Sequence, residues 1–503
     1  MGTRRKKDGG ARAREQNEAP PTEQGQSAFN ALVARLFAPV DISSIVVFRI
    51  AFGLIMLWEV NRYLNYGWID DIYIDPLYHF PYQGFEWVRP WPGNWMHVHF
   101  YALGLLAILI TVGLWYRVSA ALFWLEFTYV FLLEKGHYLN HLYLVCLISF
   151  LMIFVPAHRS FSLDARRNPK LRSDTVPAWA LVLLVTQISV IYIFGGLAKL
   201  NGDWLRGEPM RRWLARETDI PIMGRWVTEE WMVYFVSYGG LLLELFVVPL
   251  LLWRKTRWYG VVALILFHRL NAEMFSIGIF PTFATAAIIL FLPPDLPRRV
   301  VSLFQTTHTR NRRQRAARPT LFEETAKDSR LGFMQRPAIQ RATIVFLTVY
   351  IGLQLLIPLR HFAYPDNPGW TDQGDRFAWR MMLHSKVGEI SFNVTDPESE
   401  ETWKVDPDEY LTRAQAGFIV GQPDMILQFS HFLADEWESR GHDNVEVRAQ
   451  SLVSFNGRDP LPLIDSTVDL ATENLSIMPA DWITSLDEQM RLAEEQRSEE
   501  AHN

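Results

Sequence analysis

Five places in the chain hold side chains able to move a proton or bind a polar ring. The first is Tyr138-Leu139-Asn140-His141-Leu142-Tyr143, preceded by His137. His137 and His141 are spaced i,i+4 and share a face if this stretch is helical. Such a pair reads as part of a metal site, as satisfied structural histidines, or as a catalytic His141 oriented by Asn140. The second runs Tyr192-Ile193-Phe194-Gly195-Gly196-Leu197-Ala198-Lys199-Leu200-Asn201-Gly202-Asp203-Trp204, where an apolar stretch ends on a lysine. A lysine there either snorkels to the membrane surface or sits in a dry pocket, where desolvation disfavours the ammonium and makes it a usable base. The third, from His268 to Pro281, places His268, Arg269, Asn271, Glu273 and Ser276 between two apolar runs. Irregular backbone at membrane depth lines a cavity or is buried in protein; an ordinary interfacial turn is the alternative. The fourth is Trp379-Arg380-Met381-Met382-Leu383-His384-Ser385-Lys386, and the fifth is Glu244, a lone acid in an apolar run. Glu244 reads as a partner for another helix or as a proton carrier.

The elements that must position these groups are apolar runs of membrane-spanning length. A bilayer core of ~30 Å takes about 20 helical residues to cross. Nine candidate spans stand at 42–60, 98–115, 118–133, 139–155, 178–197, 231–253, 258–270, 277–292 and 343–357. Ionisable groups inside such runs are costly, so each is a functional candidate. Basic residues favour the cytoplasmic side. With the N-terminus inside, nine crossings place Arg4 to Lys7, Arg117, Arg159 to Arg172, Arg254 to Arg257 and the run from Arg298 to Arg318 on that one face. The other face receives Asp70, Asp71, Asp75 and a C-terminal region with 25 Asp/Glu against 8 Lys/Arg from Lys386 onward. Arg206, Arg211, Arg212, Arg216 and Arg225 break this pattern, and the plain reading is pairing with Asp203, Glu208, Glu217 and Asp219.

The expected architecture is mainly α. Residues 1–40 read as a disordered basic tail, 41–360 as a polytopic helix bundle with the N-terminus inside and the C-terminus outside, 361–485 as a small α/β extramembrane domain, and 486–503 as a charged, frayed tail. Alternation with β-branched residues predicts strands at 387–394 and 446–455, and helical periodicity spans 426–440. The one cysteine, Cys146, rules out an intrachain disulfide and a thiolate metal cluster. The net charge of −5 offers nothing to nucleic acid. No Walker loop, GxGxxG, nucleophile elbow or HExxH is present.

Taken in order, Asn140-His141, Lys199-Leu200 with Asp203-Trp204, Phe275-Ser276-Ile277-Gly278 with Phe280-Pro281, and Met381-Met382-x-His384-Ser385 resemble the vitamin K-dependent γ-glutamyl carboxylase family from about Ile45 to Ile483. The resemblance implies a lyase that couples oxygenation of a reduced vitamin K (phylloquinol or menaquinol) to its epoxide with carboxylation of a peptide glutamate, O2 and CO2 being co-substrates and no metal being needed. It assigns Lys199 as the base that activates the hydroquinone. His141 with Asn140 stabilises charge as the glutamate γ-proton is removed. Tyr192, His268, Asn271, Ser276, Trp204 and His384 shape the quinone pocket. Its partners are the bilayer, the quinone and a peptide or protein glutamate. Animal members carry Lys-Lys where this chain has Ala198-Lys199, together with a disulfide and a longer C-terminus, so the resemblance points to a short prokaryotic member in the plasma or inner membrane rather than a eukaryotic one in the endoplasmic reticulum. A quinol epoxidase without carboxylation, and a non-catalytic membrane receptor or maturation factor, are the competing readings.

Overall fold

The computed structural model of the chain describes residues 21–219, 224–275, 277–305, 336–476 and 478–502. A helix α1 (Pro21–Leu36) and a short strand β1 (Pro39–Asp41) lead into α2 (Ser43–Asn65). Then follow α3 (Trp95–Val112), α4 (Tyr116–Leu133), α5 (Asn140–Phe154), strand β2 (Thr175–Pro177) and α6 (Ala178–Ala198). The bundle continues with α7 (Glu230–Leu252), α8 (Arg257–Met274), α9 (Phe280–Ala287, prolonged by a 3-10 turn to Phe291), α10 (Leu296–Gln305) and α11 (Pro337–Leu356). Each of the nine apolar runs is therefore helical, because in lipid only a helix satisfies its own backbone groups within one segment.

Length separates these helices. Among the described residues, six (α2, α3, α4, α6, α7 and α11) are long and apolar enough to cross a membrane, and the pair α9–α10, bent by 91°, would make a seventh. Helix α5 is apolar but has only 15 residues. Helix α8 carries Arg257, His268, Arg269 and Glu273. The expected count of nine thus exceeds what length and composition support. The loops nonetheless segregate to two ends. At one end, β1 pairs antiparallel with β2 and Arg298 of α10 bonds Asp41 at 2.9 Å and Asp174 at 3.3 Å. Arg49 there is fully buried and donates to the carbonyls of Ala157 (2.8 Å) and Phe161 (2.7 Å). At the other end lie the α2–α3 and α4–α5 connections and the exit from α6, and the C-terminal domain rests on them. Between two helices of the bundle, Tyr350 of α11 donates to Gln187 Oε1 of α6 at 2.7 Å.

The C-terminal domain is an antiparallel sheet in the order β4 (Thr402–Val405), β3 (Lys386–Thr395), β5 (Glu446–Phe455), β6 (Leu461–Pro462). The predicted strands 387–394 and 446–455 are β3 and β5, in register with Phe392 opposite Ala449 and Val394 opposite Val447. Alternate residues of β5 (Val447, Ala449, Val453, Phe455) are buried, the pattern of a sheet with one covered face. The cover is helix α13 (Pro423–Ser439), preceded by α12 (Arg413–Ile419); Ile426, Phe429, Leu433 and Trp437 of α13 line one face. Phe429 meets Phe392 edge-on at 5.1 Å.

Both predicted tails need correction. Within 1–40, residues 21–36 are helical and Pro39 pairs with Pro177, so the described half is ordered, while residues 1–20 lie outside the described residues. Within 486–503, helix α14 (Leu486–His502) packs Leu486, Met490 and Ala493 against the sheet domain. A three- to four-residue apolar repeat amid many charges is easily read as a solvated tail. The boundary at 361 is also not a clean cut, because Phe80 of the α2–α3 connection is fully buried in the C-terminal core.

Charge pairs fasten the domain. Lys386 at the start of β3 donates to Asp372 (2.5 Å) and to the carbonyls of Trp370 and Gly421 (both 2.6 Å), with 7% exposure on each charged side chain. Lys135 donates to Asp424 and Gln428 at 2.7 Å each, and Arg376 reaches the same Asp424 oxygen at 2.7 Å. Removing one member of such a buried pair strands the other charge. Lys386→Met should therefore destabilise the protein by roughly 3–5 kcal/mol, read as a lowered melting temperature in detergent; an unchanged melt would show that Asp372 finds another partner.

Candidate functional site

Lys199 is the residue just past the end of α6, where the chain leaves its apolar helix. It does not snorkel. Its side chain is 5% exposed and its ammonium donates to the Glu244 carboxylate of α7 at 2.6 Å and to the Gly195 carbonyl at 3.3 Å. It also lies 5.1 Å from the centre of the Trp204 ring, which is held by an indole hydrogen bond to the Ser237 carbonyl at 2.9 Å. Gly195 makes this pairing possible. A methyl group on it would stand 3.0 Å from Glu244 Oε2 and 3.3 Å from the Met381 methyl. One turn back on α6, the buried Tyr192 hydroxyl hydrogen-bonds His268 Nε2 of α8 at 2.7 Å. Among the described residues, His268 Nδ1 is buried with no partner.

His141 lies on the opposite flank, as the second residue of α5, half-buried. Its Nε2 is 3.1 Å from where a side chain on Gly278 would begin, with Arg62 Nη1 at 3.6 Å. Gly278 has φ +60°, so the absence of a side chain serves both the backbone and the approach of the imidazole. Arg62 pairs with Glu59 at 2.6 Å and covers the rings of Trp58 and Trp68. Asn140 Oδ1 accepts from the Tyr138 hydroxyl at 3.1 Å, and that hydroxyl in turn accepts from the backbone N–H of Phe377 at 2.7 Å.

Segment 377–384 runs between the two flanks. Phe377 packs edge-on against Tyr138 (5.3 Å) and Tyr143 (4.9 Å), and Trp379 lies against Tyr143 (5.0 Å). Met381 reaches Gly195, and Leu383 joins Trp204 and Met274 in a buried cluster. Phe377, Trp379 and Met382 hold left-handed φ values of 64°, 58° and 54°. Bulky residues rarely adopt that conformation, and it persists where packing over-determines it, often at functional sites.

A cavity of about 610 Å3 opens between the end of α6 and this segment. Phe194, Leu197 and Leu200 form one wall and Leu359, Phe362 and Leu383 another, with Asn201, His361, Arg380 and His384 among the polar lining. His384 stacks against Phe455 at 5.9 Å; its Nδ1 is buried with no partner among the described residues, and burial pushes its pKa down to about 4. Asp203 closes the rim. Burial opposes its charge, but hydrogen bonds from Arg458, Asn456 and Arg206 hold the carboxyl down at about 2. No group of three or more His, Cys, Asp or Glu among the described residues is arranged to hold a metal ion.

Seven of the nine expected site residues thus fall in three places. Lys199 stands over the Trp204 ring, with Tyr192 two turns back on α6 and bonded to His268; His141, next to Asn140 in sequence, faces Gly278; His384 lines the large cavity. Among the described residues no hydrogen bond joins Lys199 to His141. Gly278 and Phe280 lie between them: Gly278 faces His141, and Phe280 meets His268 edge-on at 5.7 Å. Asn271 is half-buried, one turn beyond His268, and accepts the Phe275 N–H on its carbonyl. Ser276 lies outside the described residues. Of the anomalous arginines, Arg206 pairs with Asp203 and Arg211 with Glu208 and Glu230, while Arg225 stacks over Trp226. Sequence reasoning missed Arg62, although its place at the end of an apolar run was a usable signal, and it missed Met381 as a contact that shapes the Lys199 pocket.

Two family models match the chain. The HTTM domain matches residues 37–296, over half of the sequence, and the vitamin K-dependent gamma-carboxylase lumenal domain matches residues 339–489. No solved structure matches it. The bundle that carries Lys199 and His141 is the first of these, and the sheet domain with segment 377–384 is the second. An integral multi-pass membrane protein built of these two parts in this order belongs to the vitamin K-dependent γ-carboxylase family.

Proposed function

We propose that this protein couples oxygenation of reduced vitamin K with carboxylation of a peptide glutamate to γ-carboxyglutamate. The observation that carries the reading is Lys199: an amine at the end of an apolar helix, shielded from solvent and held by protein groups instead of the membrane surface. Lys199 accepts a hydroxyl proton from the quinol. Tyr192, His268, Asn271, Ser276, Trp204 and His384 bind and orient the ring, and the His268 and His384 Nδ1 atoms, which have no partner among the described residues, bond its oxygens. Reduced vitamin K, with O2, supplies the strong base that the glutamate γ-proton requires. Such a base survives only where water is excluded, and Trp204, Trp379 and Leu383, each 5% exposed or less, support that role. Asn140 orients His141, which stabilises the negative charge that develops on the glutamate.

The basic loops favour an N-terminus on the cytoplasmic side and the sheet domain on the opposite face, from which a peptide reaches the cavity. A reporter fused after Asn503 should be active only on the extracytoplasmic side; activity in the cytoplasm would reverse the topology.

Purified protein supplied with reduced vitamin K, O2, labelled bicarbonate and a glutamate-rich peptide should form both the epoxide and a labelled peptide. Lys199→Ala should lower both by on the order of 100- to 10,000-fold. His141→Ala should cut label fixation more than epoxide formation. Epoxide without label from the unaltered protein would select a quinol epoxidase; neither product from folded protein would overturn the enzymatic reading.

A further inference from the structure

The base assigned to Lys199 raises a question of charge that its surroundings answer. An ammonium cannot accept a proton, so Lys199 must first lose one, and its pocket offers little solvent to take it. We propose that Glu244 is the positioning residue that takes the Lys199 proton and holds it while the amine works. This rests on the reading of Lys199 as the base and adds a second, acidic member to that site.

The geometry carries it. Glu244 Oε2 lies 2.6 Å from Lys199 Nζ, a distance at which a proton passes directly between the two. The carboxylate is 7% exposed and sits in the middle of α7, opposite a glycine of α6 whose missing side chain leaves the room it fills. The other titratable groups facing the pair are Tyr192 of α6 and its partner His268 of α8. Asp203, four residues past Lys199, is committed elsewhere, to Arg206, Arg458 and Asn456. Among the described residues, Glu244 is the one carboxylate that Lys199 touches.

The proton balance is simple. In the resting pair the amine is an ammonium and Glu244 a carboxylate. One N–H bond of Lys199 breaks and an O–H bond forms on Glu244, leaving a neutral amine and a neutral acid. Lys199 then takes the hydroxyl proton of the quinol, becoming an ammonium again beside the quinol anion. The sum of charges on Lys199, Glu244 and the quinol is zero before, during and after. That matters in a poorly solvated site, where an isolated charge costs far more than a paired one. Without Glu244 the proton would have to travel to bulk water before each turnover.

The test compares Glu244→Gln and Glu244→Asp in the full-length protein, measuring quinol epoxidation against pH and the melting temperature of each variant. Glu244→Gln should lower kcat at neutral pH by on the order of 100-fold, with activity recovering as pH rises, because Lys199 must then lose its proton to solvent. Glu244→Asp, which keeps the acceptor, should stay within roughly tenfold of the unaltered protein. Infrared difference spectra on anaerobic quinol binding should show a protonated-carboxyl band that Glu244→Gln abolishes. A Glu244→Gln protein with unchanged kcat and pH profile would overturn the proposal, and so would losses in both variants that only track the folded fraction. A Lys199→Ala protein that still forms epoxide would instead remove the base itself, a failure distinct from that of Glu244.

Discussion

The contact on which this site depends is a charged pair held inside an apolar bundle. Lys199 and Glu244 come from different helices, and neither would be tolerated at its depth alone. Pairing fixes how close α6 and α7 must lie, and that closeness requires Gly195, since any larger residue would crowd the carboxylate. Gly196 beside it does the same for the neighbouring Leu245. Two adjacent glycines thus set the spacing, the spacing permits the pair, and the pair holds the amine away from the membrane surface.

The second constraint is the segment 377–384, which belongs in sequence to the C-terminal domain but in space to the bundle. Its aromatic residues pack against Tyr138 and Tyr143 beside the His141 helix, while Met381 and Leu383 reach the Lys199 side. Three bulky residues there hold left-handed backbone, and the charge pairs Lys135–Asp424, Arg376–Asp424 and Lys386–Asp372 clamp the flanking structure that keeps them so. Membrane and sheet domains therefore build the cavity jointly. Its walls come from the α6 turn on one side and from residues 359–384 and 455–456 on the other.

Several of these features were legible in the chain. Nine apolar runs marked nine helices, because hydropathy and helix formation have the same cause in lipid. Strands β3 and β5 followed from alternation, since one face of the sheet is covered by α13. Lys199, His141 and His268 stood out as ionisable groups in or beside apolar runs. The tails were misread because a helix that docks by a few apolar residues among many charges, as α14 does with Leu486 and Met490, looks solvated until its partner surface is known.

By itself the sequence determined which segments are helical, that they are membrane-embedded, and which side chains are chemically out of place there. Each of those properties resides in one local stretch and its cost of transfer into lipid. Tertiary structure alone decided what the misplaced groups meet. Glu244 lies 45 residues from Lys199 along the chain, Gly278 lies far from His141, and Phe80 enters a core formed more than 300 residues later. Whether Lys199 snorkels or stays buried is a choice between membrane surface and partner. Sequence cannot make that choice, because the deciding energy belongs to a contact between helices that only packing brings together.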